Sequence, residues 1–375
     1  MFKIGYDAKR AFNNFTGLGN YSRTLIRSIA DNYPDNELYL FTPKVKNKPV
    51  VEQFKNSDHF QIVLPESKMK SYWRTYGITK LLKDKNIDIY HGLSNELPSN
   101  IQSAHIKSVV TIHDLIFKIH PEHFPFIDRK IYEYKCQSAC MKSDKIIAIS
   151  ESAKNDIIKF YNTPEEKIEV IYQACGEQYQ KVKLEEELKQ VKEKHKLPGE
   201  FILFVGTIND RKNLKGLIKA IAALPENNRI PVVVVGKGKR YKKESIEMIR
   251  AKGLQKYFYF YRDIDDDDLA SFYQLSSAFI YPSLYEGFGI PVIEALNSKT
   301  PVLASNTSSI PEAGGDAAEY FDPYNPDEMA NAISKVIESD SLQKEMISKG
   351  IEHARKFSSD NAAEKIMACY KELAG

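Results

Sequence analysis

Residues 286–294 read EGFGIPVIE, and they join a short apolar run to a segment with helical spacing. The preceding run, Ala278–Pro282, is typical of a buried strand, and Val292–Leu296 is typical of the first turns of a helix. Gly287 and Gly289 allow the backbone of the intervening turn to approach a ligand, with its amides at the positive end of the helix. The stretch therefore predicts a strand–turn–helix unit that can bind a phosphate group.

Two carboxylates flank this turn, because Glu286 precedes it and Glu294 follows on the predicted helix. An ionised carboxylate only accepts hydrogen bonds, so both side chains suit the hydroxyls of a sugar or a ribose. The alternative is an ordinary strand–helix connection with two solvated glutamates. Features elsewhere in the chain are needed to choose between these two interpretations.

Apolar strands and amphipathic helices alternate along the whole chain. One series of candidate strands runs from residues 3–6 to 168–171, and a second runs from 201–205 to 318–320. This alternation predicts an α/β protein with parallel sheets that carry helices on both faces.

The length and a change of pattern indicate two domains. A chain of 375 residues exceeds one ordinary core, and a charged helical segment separates the two series of strands around residues 176–198. We predict a first domain over residues 1–178, a second over 179–356, and a final helix within 357–375.

Composition excludes several classes of protein. The formal net charge of +3 is too small to indicate a nucleic-acid partner. No apolar run approaches the roughly 18 residues of a transmembrane helix, and the first residues lack the layout of a signal peptide, so we expect a cytoplasmic protein. None of the cysteines has the spacing of zinc ligands, and we expect reduced, buried thiols.

A second candidate site follows the apolar strand Phe201–Val205, where a glycine turn leads to Arg211 and Lys212. Ligands of open parallel sheets bind beyond the carboxyl ends of the strands, where this turn must lie. The planar guanidinium and the compact ammonium together suit a diphosphate. The alternative is a solvated pair at the start of a helix, although cations are disfavoured there unless an anion binds.

The first half of the chain offers two further candidates. Gly17 and Gly19 precede a predicted helix and could form a second amide-lined anion or sugar site, with a plain loop as the alternative. His113 and Asp114 follow the strand 108–112, again at a carboxyl end. His113 is either a ligand-binding residue or a structural histidine, and Asp114 could orient its ring or bind an acceptor.

Four other motifs have simpler explanations. His120 and His123 are predicted loop residues, because no partner has metal-ligand spacing. The acidic run 263–268 is predicted to cap a helix rather than to bind a metal. The turn 235–241 lacks the third glycine of a dinucleotide fingerprint, which disfavours NAD. The basic aromatic segment 68–85 either contacts an anionic membrane or packs its aromatic side chains inward, and we favour packing.

Four features of the chain follow one another in a recognisable order: the glycine loop, the His113-Asp114 turn, the Arg211-Lys212 turn, and the pair Glu286 and Glu294. In this order of features the chain resembles the retaining family 4 glycosyltransferases. Residues 113–122 are most similar to bacterial mannosyltransferases that build surface polysaccharide. The resemblance implies the GT-B fold, in which two doubly wound Rossmann-like domains face a central cleft. It also implies that the first domain binds the acceptor, the second binds the nucleotide-sugar donor, and the last helix packs on the first domain.

The resemblance assigns roles to individual residues. The expected catalytic residues are His113, Arg211, Lys212 and Glu286. The expected donor-binding residues are Gly17, Gly19, Arg211, Lys212, Gly236, Ile264, Glu286, Gly287, Phe288, Gly289 and Glu294, while Asp114 is a candidate acceptor ligand. Two positions depart from the family pattern: Thr207 stands where some members carry an arginine, and Arg262 replaces a glycine near the expected nucleobase site.

The implied activity is retaining transfer of a hexose from a nucleotide-sugar to a glycan or lipid-linked acceptor in polysaccharide biosynthesis. Mannose from GDP-mannose is the first candidate, and a UDP-sugar is the alternative. No metal or other cofactor is expected, because cations and amides can neutralise the leaving diphosphate. Contact with the inner face of the membrane stays open, as do three other classes: a sugar phosphorylase or epimerase, a nicotinamide oxidoreductase and an inactive carbohydrate-binding protein.

Overall fold

The computed structural model describes residues 1–66 and 68–375. The chain forms two compact units, of which the first comprises residues 1–174 and 358–375 and the second comprises 175–357. The boundary thus lies at 174/175 rather than at the predicted 178/179. The reason is the short helical turn Glu177–Tyr179, because the Tyr179 ring packs edge-on against Tyr273 of the second unit at 5.6 Å.

The first unit is built on a parallel seven-stranded sheet in the order β3-β2-β1-β4-β5-β6-β7. Its strands are β1 (Lys3–Asp7), β2 (Glu37–Phe41), β3 (Phe60–Val63), β4 (Ile89–Gly92), β5 (Lys107–Ile112), β6 (Lys145–Ala148) and β7 (Ile168–Val170). Its helices are α1 (Lys9–Asn13), α2 (Gly17–Asn32), α3 (Pro49–Lys55), α4 (Lys70–Tyr72), α5 (Ile78–Asp84), α6 (Ile116–Ile119), α7 (Phe126–Lys142) and α8 (Glu151–Tyr161).

The second unit is built on a parallel six-stranded sheet in the order β10-β9-β8-β11-β12-β13. Its strands are β8 (Ile202–Val205), β9 (Val232–Val235), β10 (Phe258–Tyr261), β11 (Ala278–Tyr281), β12 (Val302–Ser305) and β13 (Ala318–Phe321). Its helices are α9 (Glu185–His195), α10 (Leu214–Ala223), α11 (Arg240–Ala251), α12 (Asp266–Leu275), α13 (Ile290–Asn297), α14 (Ile310–Gly314), α15 (Pro326–Ile337) and α16 (Asp340–Ala354).

Strand β9 shows why the sheets form. Its four β-branched valines are buried, and they pair in parallel with β8 on one side and β10 on the other. Such a strand has no solvent-facing side, so its sequence is continuously apolar rather than alternating. The prediction of doubly wound parallel sheets is confirmed in both units.

The last helix, α17 (Ser359–Ala374), lies in the first unit. It packs against α2, where the Ser28 hydroxyl donates to the carbonyl of Ser359 at 3.0 Å. Its buried Tyr370 hydroxyl lies 2.6 Å from Nδ1 of His91 in the sheet. The first unit is therefore completed by residues from the end of the chain.

Within the basic aromatic segment 68–85, a π-helical segment, Trp73–Gly77, separates α4 from α5. Trp73 is buried, as expected for inward packing, whereas Tyr72 and Tyr76 are exposed. The wider turn directs Arg74 toward the carboxylates of Asp7 and Glu96, which form ion pairs with it.

Across residues 1–66 and 68–375, no helix has both the length and the apolar character that crossing a bilayer requires.

Candidate active site

Arg211, Lys212 and Glu286 form one cluster at the carboxyl edge of the second sheet. The two cations lie in the helical turn Asp210–Lys212 after β8, and Glu286 lies in the loop after β11. Strands β8 and β11 are neighbours, so their carboxyl ends bring the two loops together. A backbone hydrogen bond of 2.8 Å from the Leu284 amide to the Arg211 carbonyl fixes the loops to each other.

The cluster is a buried ion triad. Glu286 Oε2 lies 2.5 Å from Nη1 of Arg211, and Oε1 lies 2.6 Å from Nζ of Lys212. Lys212 also donates to the Tyr281 hydroxyl at 2.5 Å, and its Nζ lies 4.5 Å from the centre of that ring. Lys212 and Glu286 are only 7% and 8% exposed, so the alternative of solvated side chains is wrong for both residues.

The carboxyl group of Glu286 is ionised, and it faces two basic side chains. Burial works to raise the pKa of Glu286, but the charges of Lys212 and Arg211 outweigh it and lower this pKa to about 2. Burial lowers the pKa of Lys212, against the attraction of Glu286. Two cations therefore face one carboxylate in a place with little water, where an added anion would be attracted.

The backbone around Lys212 is shaped to admit its side chain. Gly206 has a φ of +145°, and a Cβ added there would lie 3.3 Å from Cε of Lys212. Asn209 caps the start of the helical turn Asp210–Lys212 by accepting a hydrogen bond of 3.1 Å from the Lys212 amide. Thr207, the departure from the family pattern, is exposed, and it contributes no cation to the cluster.

The Gly287-Phe288-Gly289 turn is held by two serines that follow β12. Ser308 accepts from the Glu286 amide at 2.9 Å, and the Ser309 hydroxyl lies 2.9 and 2.7 Å from the carbonyls of Glu286 and Phe288. The Glu286 amide therefore serves the protein rather than a ligand, and ligand contact by the amides of the turn that follows stays a prediction. Neither serine stands out in the amino-acid sequence, because their only local signal is their place after a buried strand.

The side chains of the turn have structural roles. Phe288 is buried against Phe357, with ring centres 5.5 Å apart, so only its backbone can face a donor. Gly289 has a φ of +132°, which disfavours other residues, and α13 begins directly after it. Gly287 and Gly289 thus stay candidates for backbone contact with a ligand.

Glu294 lies on α13 and is held differently from Glu286. The Tyr273 hydroxyl donates to its Oε2 at 2.9 Å. Burial raises the pKa of Glu294 to about 7, although the tyrosine hydrogen bond acts in the opposite direction. The carboxyl group can therefore both accept and donate near neutral pH, which suits a ribose diol.

Gly236 and Ile264 lie near the ends of β9 and β10. A Cβ on Gly236 would lie 1.9 Å from the carbonyl oxygen of Gly206, so only glycine fits there. Ile264 is half-buried. Arg262, which replaces the family's glycine, has no left-handed backbone, so the replacement causes no strain; the left-handed residue is its neighbour Asp263. Asp265 caps α12 by accepting from the Asp268 amide at 2.8 Å, as predicted for the acidic run.

In the first unit, His113 is a buried, neutral imidazole. Its Nε2 lies 2.9 Å from the Leu93 carbonyl, and its Nδ1 lies 2.9 Å from the Gln173 amide nitrogen. The Tyr21 ring packs edge-on against it at 4.8 Å. Burial lowers the pKa of His113 to about 4, against the effect of the Leu93 bond. Both ring nitrogens have partners, so this arrangement favours a structural role over proton transfer at neutral pH.

Helix α2 begins at Gly17, so Gly17 and Gly19 both lie in its first turn, and the anion or sugar site expected there stays a prediction. The Gly19 amide donates to the Thr16 carbonyl at 2.9 Å, so it does not point at a ligand. A Cβ on Gly19 would lie 1.9 Å from the Asn14 carbonyl oxygen, which explains the glycine by packing. Asp114 accepts from the Ile116 amide at 3.2 Å and thereby helps to begin α6.

His120, Glu122 and His123 come closer together than their prediction as plain loop residues implied. One ligand atom of each lies within 4.8 Å of the others, and Glu122 Oε1 is 3.1 Å from Nδ1 of His120. The group is mostly exposed. It could hold a metal ion, but nothing else in the described part of the chain points to one.

Both halves of the chain match known families of glycosyltransferase. Residues 15–175 match the family described as "Glycosyltransferase Family 4", and residues 185–353 match "Glycosyl transferases group 1". O-antigen chain mannosyltransferase B of Escherichia coli is 29% identical over 376 residues, which covers 96% of each protein. Serotype-specific mannosyltransferase WbdA of Escherichia coli is 30% identical over 76% of this chain, which spans only 36% of WbdA.

Solved structures agree in fold. A glycosyltransferase from Rickettsia africae has a TM-score of 0.78 at 20% identity, with 99% of this chain and 98% of that chain covered. The Anabaena protein Alr3699/HepE in complex with UDP has a TM-score of 0.77 at 17% identity, with 99% and 100% covered. Because successive halves of the sequence match the two family descriptions and a relative aligns over nearly its full length, the chain belongs to the family 4 glycosyltransferases and has the GT-B fold.

Proposed function

We propose that the protein transfers a hexose from a nucleotide-sugar to a glycan or lipid-linked acceptor in polysaccharide biosynthesis, with retention of configuration. Mannose from GDP-mannose is the first candidate donor, because relatives along this chain are named as O-antigen and serotype-specific mannosyltransferases. The nucleobase of the donor has less support than the sugar, since HepE, which shares the fold, was solved with UDP. We place the activity in the cytoplasm, where nucleotide-sugars are made.

The observation that carries the proposal is the buried triad of Arg211, Lys212 and Glu286. Its excess positive charge lies beside the glycine turn, where a diphosphate would find a guanidinium, an ammonium and backbone amides. Preorganised charges in a place with little water stabilise a leaving group more strongly than they would in bulk solvent. Arg211 and Lys212 would take up the charge that grows on the departing diphosphate.

Glu286 would share its carboxylate between the two cations and the hydroxyls of the donor sugar. Glu294, with its pKa raised to about 7, would bind the ribose. In the transfer step the bond from the sugar C1 to the diphosphate oxygen breaks, and the acceptor oxygen bonds to C1 on the same face. The acceptor proton passes to the departing diphosphate, so the step needs neither a side-chain nucleophile nor a metal ion.

Calorimetric titration with GDP, UDP, ADP and NAD in the presence of a chelator tests the proposal. We expect one nucleoside diphosphate to bind the wild-type protein, and the Lys212→Ala variant to lose most of this affinity. Lys219→Ala is the matched control, because Lys219 lies exposed on the neighbouring helix α10 and contacts none of the triad. Binding of NAD alone, or equal loss in both variants, would contradict the proposal.

A further inference from the structure

Three buried aromatic rings form a column in the second unit, and the column reaches two residues of the candidate active site. Measured between ring centres, the Tyr273 ring lies 5.2 Å from the Phe279 ring, which lies 5.7 Å from the Tyr281 ring. Phe279 and Tyr281 are two positions apart on β11, so both side chains project from the same face of the sheet. Each of the three residues is at most 2% exposed, so the column is part of the core.

Each end of the column carries a hydroxyl group that holds a residue of the site. At one end, the Tyr281 hydroxyl accepts a hydrogen bond of 2.5 Å from Nζ of Lys212. At the other end, the Tyr273 hydroxyl donates to Oε2 of Glu294 at 2.9 Å. Phe279 lies between them and contributes packing alone. The column therefore connects the ammonium group expected to bind the diphosphate to the carboxyl group expected to bind the ribose.

The contacts of Lys212 orient its ammonium group, which has three N–H donors. The Tyr281 hydroxyl takes one of them, and Oε1 of Glu286, 2.6 Å from Nζ, is within reach of a second. Arg211 pairs with the other oxygen of Glu286, so it does not compete for this contact. Two fixed partners set the direction of the third donor, from which a phosphate oxygen can accept.

Two tyrosine hydroxyls act on Glu294. Burial raises the pKa of this carboxyl group, and the hydroxyls of Tyr273 and Tyr179 both oppose the effect. The Tyr179 ring packs edge-on against the Tyr273 ring at 5.6 Å, so it extends the column at this end. The charge of Lys212 also lowers the pKa of Glu294, which places the two ends of the column within electrostatic range of each other.

We propose that Tyr273 and Tyr281 are positioning residues of the donor site. They hold Glu294 and Lys212 in fixed directions and at a fixed separation, and Phe279 is the rigid spacer between them. A site that is ordered in advance in this way loses less freedom when it binds a ribose joined to a diphosphate. The assignment rests on the proposed transferase function, and it adds the residues that match the site to the two ends of a nucleoside diphosphate.

Replacement of each tyrosine by phenylalanine tests the proposal, because the ring stays in the column and only the hydroxyl is lost. Calorimetric titration of the full chain with GDP, GMP and 2′,3′-dideoxy-GDP separates the two ends of the ligand. The corresponding uridine nucleotides replace them if the wild-type protein binds UDP rather than GDP. The affinity for GDP relative to GMP reports on the diphosphate, and the affinity for GDP relative to dideoxy-GDP reports on the ribose hydroxyls.

Each variant should change one of these two ratios and leave the other as in the wild-type protein. We expect Tyr281→Phe to lower the preference for GDP over GMP about tenfold, because Lys212 loses one of the contacts that orient it. We expect Tyr273→Phe to lower the preference for GDP over dideoxy-GDP about fivefold, a smaller loss because Tyr179 remains.

Tyr257→Phe is the matched control. Tyr257 is buried in the second unit like the two tyrosines of the column, but it lies in the turn before β10. Its hydroxyl reaches the Glu226 carbonyl, 3.4 Å away, and neither Lys212 nor Glu294. Both ratios should stay unchanged in this variant. Melting curves of all three variants show whether the fold is kept.

Two results would overturn the proposal. Either the tyrosine variants keep both ratios, or they bind all three nucleotides more weakly by the same factor, as a general loosening of the unit would cause. Each ratio is decisive for its own tyrosine. The titrations also separate this failure from failure of the transferase function, because binding of neither GDP nor UDP to the wild-type protein would remove the function itself. Binding of GDP with unchanged ratios in both variants would remove the positioning role alone.

Discussion

Replacement of Glu286 by glutamine should destabilise the second unit while leaving its shape unchanged. The side chain keeps its volume but loses the charge that faces Arg211 and Lys212. The pKa of this carboxyl falls from its ordinary 4.5 to about 2 in the folded protein. At about 1.4 kcal/mol for each pKa unit, the charged form of Glu286 contributes about 3 kcal/mol to the free energy of unfolding.

The pH dependence has a defined sign. The pKa is depressed in the folded state, so the contribution is fully present above pH 4.5 and is lost as the pH falls toward 2. The free energy of unfolding of the wild-type protein should therefore fall by about 3 kcal/mol over this pH window. The Glu286→Gln variant lacks this contribution already at pH 7. The buried, unpaired cations left behind make the variant unstable even at neutral pH.

Thermal unfolding of both proteins at pH 7 and pH 3 measures this difference. For a unit of this size we expect the variant to melt about 6–12 °C lower at pH 7, with a smaller gap at pH 3. Glu244→Gln is the control, because Glu244 pairs with Lys215 near the surface and should leave the melting temperature unchanged. A Glu286→Gln variant as stable as the wild-type protein at pH 7 would refute the reasoning.

Three further predictions concern single residues of the second unit. The pKa of Glu294 is raised to about 7 in the folded protein, so its ionisation lowers the stability as the pH rises from 4.5 through 7. Melting curves recorded over this pH range should show the loss of stability for the wild-type protein and not for Glu294→Gln. Gly236→Ala should severely destabilise the fold, because its Cβ would lie 1.9 Å from the Gly206 oxygen, whereas Gly199→Ala, with nothing within 4 Å, should melt like the wild-type protein. Ser309→Ala should cost about 1–2 kcal/mol in urea unfolding by removing the contacts to the Glu286 and Phe288 carbonyls, and an unchanged midpoint would contradict the role given to this serine.

The parts of the fold that sequence could predict are those encoded locally. Strand β9 consists of β-branched residues without interruption, and the turns after β8 and β11 combine glycines with charged residues, so both the sheet and the loops beyond it were expected. The order of parallel strands then brings Arg211 and Glu286 to one edge. The ion triad is the geometric result of that placement.

The parts that sequence could not predict depend on contacts between distant segments. Ser309 holds carbonyls that lie 23 and 21 positions earlier, and Arg74 leaves a regular helix to reach Asp7 across the first unit. Gly19 has the pattern of an anion loop, but its amide and its missing side chain serve the packing of the loop near Asn14. Local spacing cannot distinguish such packing from ligand binding, because both require glycine at the same place.

The role of His113 in the first unit is also not predictable from its position in the sequence alone. His113 follows a strand at its carboxyl end, where a ligand-binding side chain would be expected. Its environment is decided by Gln173 and Tyr21, which approach from other parts of the chain and leave a neutral, buried ring. A role for His113 in catalysis stays a prediction, and the pKa lowered to about 4 excludes an imidazolium at neutral pH from that role.

The most direct test of the central claim is transfer itself, followed by proton NMR with GDP-mannose and mannobiose in the presence of excess chelator. The account predicts a new anomeric signal with the α configuration of the donor for the wild-type protein and the Lys219→Ala control. It also predicts a rate at least about a hundredfold lower for Lys212→Ala, because a main stabiliser of the leaving diphosphate is gone. A product with the β configuration, or undiminished transfer by Lys212→Ala, would contradict the account.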